Sequence, residues 1–153
     1  MTTLTTRQQR MAETAFGAVE KREPSGNKEY CSFAKSFPAL IQAAGVCQAI
    51  AFAQAKGRPA EVGGREKAPL MVACDVLKTM ALPSNPALDK FAATVRTANV
   101  MEYMRLTRLA LQAATWVKRY TEALEKTATP NDEKLTSAKQ NADKATTDGG
   151  EHG

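Results

Sequence analysis

The chain has 153 residues, 43% of them apolar and 6% aromatic, with 21 Lys and Arg against 16 Asp and Glu. That length holds one domain with a real core but not two. Abundant alanine without β-branched runs favours helices packed through small side chains over a sheet. The net charge of +5 is uneven. Residues up to Lys126 contain 18 bases and 11 acids, and those beyond it 3 and 5, so the part able to fold is the basic part and an anionic partner is expected.

In chain order, Thr6 reads as an N-cap for a first helix, "RQQRMAETAFGAVEKR", with Met11, Ala15 and Val19 on one face. Pro24 and Gly26 stop it. A second helix starts near Lys28 and carries Tyr30, Phe33, Phe37, Leu40, Ile41 and Ala44, with Pro38 expected to kink or restart it and Gly45 to end it. "VCQAIAFAQAK" is a third helix, closing at Lys56 with Gly57 as its C-cap. After the loop "GRPAEVGG", a fourth helix spans about 65–82 and turns Leu70, Cys74, Leu77 and Ala81 inward. "PSNP" breaks the chain, Ser84 or Asn85 capping and Pro86 opening the next helix. From there to about Lys126 the helical pattern is nearly continuous, with a bend near 97–99. Its last stretch, "EYMRLTRLALQAATWVKRY", sets Tyr103, Leu106, Ala110, Ala113, Val117, Tyr120 and Leu124 against Arg105, Arg108, Gln112, Thr115 and Arg119 on the opposite face. Residues 127–153 hold a single large apolar side chain, Leu135, and read as a disordered polar tail behind a helical domain of residues 1–126.

Little here suggests catalysis. The one histidine, His152, lies in the tail, which removes His-based acid–base and nucleophilic constellations and most zinc and di-iron helical sites. Gly63-Gly64 is a lone pair without the strand and helix of a nucleotide loop. Asp75, among apolar neighbours, reads as a helix-to-helix hydrogen-bonding group. Cys31, Cys47 and Cys74, odd in number and in apolar helical settings, read as reduced core thiols. Residues 36–55 carry no charge, but Pro38, Gly45 and three glutamines make them a buried helix pair and not a membrane span. No secretory signal is recognisable, and a cytoplasmic protein with no cofactor and no metal is expected. What remains is a basic surface: Lys21 and Arg22 at the end of the first helix, Lys35, Lys56, Arg58, and Arg105, Arg108, Lys118 and Arg119 on the last. Arginine forks suit phosphate oxygens, so backbone contact is a better fit than base stacking.

Two blocks carry a resemblance. "SFPALIQAAGVCQAIAFAQAKG" is similar to the signature of the small α-helical subunit of type III-B CRISPR–Cas effector complexes, the Cmr (RAMP module) complexes, through Pro38, Leu40, Ile41, Gly45, Val46, Gln48, Ile50, Ala51, Phe52 and Lys56. The last helix resembles that family's closing helix through Glu102, Tyr103, Arg105, Leu106, Thr107, Arg108, Ala110, Leu111, Trp116, Val117, Lys118, Arg119 and Tyr120. Arg10, Ala12 and Ala15 also fit, and the likeness spans about 7–124. Cys47 departs from it, standing where the family often has a smaller residue.

The resemblance implies an all-α, compact bundle of about five or six helices without catalytic activity. Several copies stack as a minor filament beside RAMP-fold backbone subunits and the large polymerase-like subunit, lining the groove where target RNA pairs with guide RNA. Arg10, Lys21, Lys35, Lys56, Arg105, Arg108, Lys118 and Arg119 are then the expected RNA-backbone contacts. The alternatives are the small subunit of a type III-A complex and a helical protein-interaction adaptor without direct RNA contact.

Overall fold

The computed structural model describes residues 4–126; the expected tail lies outside them. Among the described residues there are six α-helices and one short 3-10 turn, and no strand. α1 (Arg7–Glu20) opens with a full capping box, in which Gln9 N–H donates to the Thr6 hydroxyl and the Gln9 side chain accepts from Thr6 N–H. After the 3-10 turn Pro24–Gly26 comes α2 (Lys28–Ala44), capped by Asn27. Pro38 does not restart this helix, which is assigned without interruption through it. The proline forfeits one backbone hydrogen bond, while Ala34, Phe37 and Ile41 around it are buried and hold the segment in place.

α3 (Val46–Gly57) follows directly across Gly45, whose φ of +86° and ψ of 159° suit only glycine. A Cβ there would also fall 2.7 Å from the Tyr103 hydroxyl. At the other end, Gly57 lets α3 meet α4, since a Cβ would fall 2.3 Å from Leu70 N. α4 (Ala68–Met80) begins later than about 65 because of Pro69, which is tolerated only in a first turn. Its inward set also differs from expectation. Leu77 is buried, but Leu70 and Cys74 are half-buried and Ala81 is an exposed left-handed C-cap. Val72, Ala73, Asp75, Val76, Thr79 and Met80 are buried instead, because α4 packs against α1, α2, α3 and α6 and buries more than one face.

Ser84 and Asn85 sit in the loop at positive φ and do not cap α5 (Leu88–Thr97), which starts after Ala87 with no side-chain cap. The expected bend near 97–99 is a true break. Ala98 ends α5, and Asn99 Oδ1 accepts the Glu102 N–H at 2.9 Å to start α6 (Val100–Glu125). The apolar stripe of α6 is as the periodicity requires: Leu106, Ala110, Ala113 and Val117 are buried, and Tyr103, Tyr120 and Leu124 pack at its edge. α6 packs chiefly on α2, then on α4 and α1.

Asp75 is the polar centre of this core. It is 5% exposed and receives two hydrogen bonds of 2.9 Å from the Arg22 guanidinium and one of 2.7 Å from the Tyr30 hydroxyl. Thr79 Oγ donates to the Asp75 carbonyl at 2.8 Å. One carboxylate thereby joins the end of α1, the start of α2 and the middle of α4, the role read from the sequence. Burial, with the Asp75 charge beside it, pushes the Tyr30 phenol far above its ordinary value.

Asp75→Ala is expected to lower stability by about 2–3 kcal/mol, less than for a wholly buried pair because Arg22 keeps contact with water. Urea unfolding followed by circular dichroism measures it. A pH dependence follows as well. Tyr30 has its pKa raised above 10.0, and Cys31 and Cys74 theirs above 9.0, mainly by burial. In the unfolded chain these groups lose protons first, so their stabilisation is complete below about pH 9 and falls as pH rises beyond. Tyr30→Phe is expected to flatten the part of that decline that sets in above pH 10, read from urea midpoints across an alkaline series.

Candidate nucleic-acid interface

α1 and α6 lie side by side and run in the same direction. Trp116 Nε1–H donates to Gln8 Oε1 at 2.7 Å, Gln8 Nε2 reaches Gln112 Oε1 at 3.5 Å, and Phe16 meets the Tyr120 ring edge-on at 5.4 Å. This register brings Arg7, the first residue of α1, to Arg105 and Arg108, and the three line one cleft of about 310 Å³ with Leu109 and Gln112. An adjoining cleft of about 450 Å³ shares Gln112 and is lined also by Gln8, Thr115, Trp116 and Arg119. Arg105 and Arg119 are about 21 Å apart along the α6 axis.

The charges along this groove are poorly balanced. Arg105 makes hydrogen bonds of 2.7 and 3.1 Å to Glu102, which raise its pKa and hold the Glu102 carboxyl below its ordinary value. Both partners face solvent, so the pair is weak and open to exchange. Arg119 approaches Glu122 at 3.5 Å. Arg7 and Arg108 have no carboxylate partner among the described residues. Guanidinium groups gathered around one cleft repel each other, and an anion with several acceptor oxygens relieves that repulsion.

Of the expected contacts, Arg105, Arg108 and Arg119 are therefore brought together. Arg10 on α1 and Lys21 just past its end are exposed, and Lys118 is half-buried; none lines either cleft. Lys35 is ion-paired with Glu125, at the far end of α6. Lys56 lies 6.0 Å from the centre of the Phe52 ring, in a separate groove. Sequence reasoning missed Arg7 because its partners are about a hundred residues away. Trp116, half-buried against the core, also lines a cleft and donates to Gln8. Among the described residues no group of three or more His, Cys, Asp or Glu is placed to hold a metal ion, and His152 lies outside them.

Residues 7–124 match the family model described as CRISPR-associated protein (Cas_Cmr5). The chain belongs to this Cmr5 family. The match takes in all six helices and ends near the last buried turn of α6, in line with the small-subunit resemblance of the two sequence blocks. A curated relative, the CRISPR system Cmr subunit Cmr5 of Thermus thermophilus, is 34% identical over 121 residues, covering 78% of this chain and 96% of the relative. The crystal structure of a Cmr5 family protein from the same organism superposes with a TM-score of 0.63 at 31% identity, covering 79% of this chain and 98% of that one.

The groove's charge is directly testable on heparin, a generic polyanion. Glu102→Gln frees Arg105 and is expected to raise the salt needed for elution, whereas Arg108→Ala lowers it; equal elution of both variants and the parent excludes the groove as the main anion site.

Proposed function

We propose that this Cmr5-family chain is a non-catalytic subunit of a type III-B CRISPR effector ribonucleoprotein in the prokaryotic cytoplasm. Several copies stack as a minor filament beside the RAMP-fold backbone subunits and the large polymerase-like subunit. The α1–α6 groove faces the backbone of the duplex between guide and target RNA. The observation that carries this reading is the gathering of Arg7, Arg105 and Arg108 in one cleft that continues to Arg119. The family match supports the III-B assignment over the III-A alternative. No described helix is long and apolar enough to cross a membrane.

The physical role is electrostatic positioning. Guanidinium forks meet phosphate oxygens without reading bases, so sequence selection is left to base pairing with the guide. Asp75, the most buried carboxylate, is occupied as a structural acceptor for Arg22 and Tyr30, which supports a scaffold role. An isolated subunit contributes only a few phosphate contacts, so its own RNA affinity is weak and independent of sequence.

Arg105, Arg108 and Arg119 are exposed, so changing all three to Ala leaves helicity and melting temperature close to the parent's. The assembled complex is expected to retain less target RNA and to recover part of it at low salt, as a lost electrostatic contribution requires. Filter binding across a salt series measures both effects. Retention equal to the parent's at every salt concentration, in a complex that assembles normally, overturns the groove assignment.

A further inference from the structure

A second groove of about 540 Å³ lies between α2, α3 and α4, on elements that contribute nothing to the arginine clefts. Its apolar centre is Phe33 and Phe52, with rings 6.1 Å apart and only 3° from parallel. Phe52 is 44% exposed on α3, where the other exposed residues are Gln48, Ala51, Ala55 and Lys56. Lys28, Lys56 and Lys67 surround the rings, against the single carboxylate of Glu29. These three lysines have no carboxylate partner among the described residues, whereas nearby Lys35 is held by Glu125.

We propose that this groove binds an unpaired nucleotide of a single-stranded RNA, its base stacked on Phe52 and the adjoining phosphates met by Lys28, Lys56 and Lys67. A nucleotide joins the two features found here, a planar π-face and a neighbouring anion. Stacking on an aromatic ring is open to every base, and flexible ammonium groups follow a single strand's backbone without fixing its sequence. Lys56, already over the Phe52 ring, reaches a phosphate by a change of rotamer. An acidic peptide matches the lysines equally well but gives the parallel ring pair no flat counterpart. A duplex hides its base faces and is excluded from this mode. The site uses different residues from the α1–α6 groove and stands or falls separately from it.

The test is photo-crosslinking of the full chain to a single-stranded RNA carrying 5-iodouridine, with the adduct mapped by mass spectrometry. The adduct is expected on the peptide containing Phe52. Unlabelled single strand should displace it, and the same sequence as a duplex should not. Phe52→Leu, a conservative change at an exposed position, should lose the adduct and weaken single-strand binding about ten-fold, the loss of one base stack. Phe52→Trp should retain both. Binding in an Arg105→Ala, Arg108→Ala variant keeps the Phe52 adduct, which separates this site from the arginine groove. Adducts confined to α1 and α6, or an affinity in Phe52→Leu within two-fold of the parent's, overturn the proposal. Loss of complex assembly in Phe52→Leu with RNA affinity unchanged also overturns it and makes the groove a docking surface for a neighbouring protein.

Discussion

The Asp75 carboxylate, sunk among apolar side chains, holds three helices in one register. An alanine-rich helix pair slides easily, because small side chains give shallow ridges and many nearly equal packings. A buried carboxylate does not tolerate sliding, since each displaced donor leaves its charge unsatisfied. With Arg22 just past the end of α1 and Tyr30 at the start of α2 both bonded to the Asp75 carboxylate on α4, the arrangement of these helices is discrete. α6 then lies across α1, α2 and α4 as the long closing element.

That arrangement sorts the cations by task. Arg22 is spent on the core, and its guanidinium is held charged by the hydrogen bonds to Asp75. Lys35 is tied to Glu125, and Arg58 lies 3.3 Å from Asp89. Along α1 and α6, Arg105 and Arg119 have only the weak, solvent-screened partners Glu102 and Glu122. Arg7, at the other end of α1, is placed against α6 by the Gln8–Trp116 and Phe16–Tyr120 contacts between the two helices.

Two glycines make the helical joints tight. Gly45 turns α2 into α3 in a conformation closed to other residues, and Gly57 allows the backbone of α4 to approach α3. The first joint brings Phe33 and Phe52 into parallel contact, and the second places Lys67 and Pro69 at the rim of the groove around them. Both glycines fall in the signature block, so the block encodes a bend and one ring of the aromatic pair as well as helix.

Helix identity was legible in the sequence because it is local. Period-3.6 burial on α6, the Thr6 cap, the Gly45 stop and the structural role of Asp75 each follow from a few neighbouring residues and their solvation. Boundaries failed where two local signals competed: Pro69 delayed α4, and Asn99 split α5 from α6. The three arginines on α6 were visible for the same periodic reason. What the sequence left open is which elements meet. Arg7 joins Arg105 and Arg108, Gln8 meets Trp116, and Phe33 lies along Phe52, only after the chain closes contacts between distant segments. Periodicity carries no information about such pairings; the tertiary packing of the helices decides them.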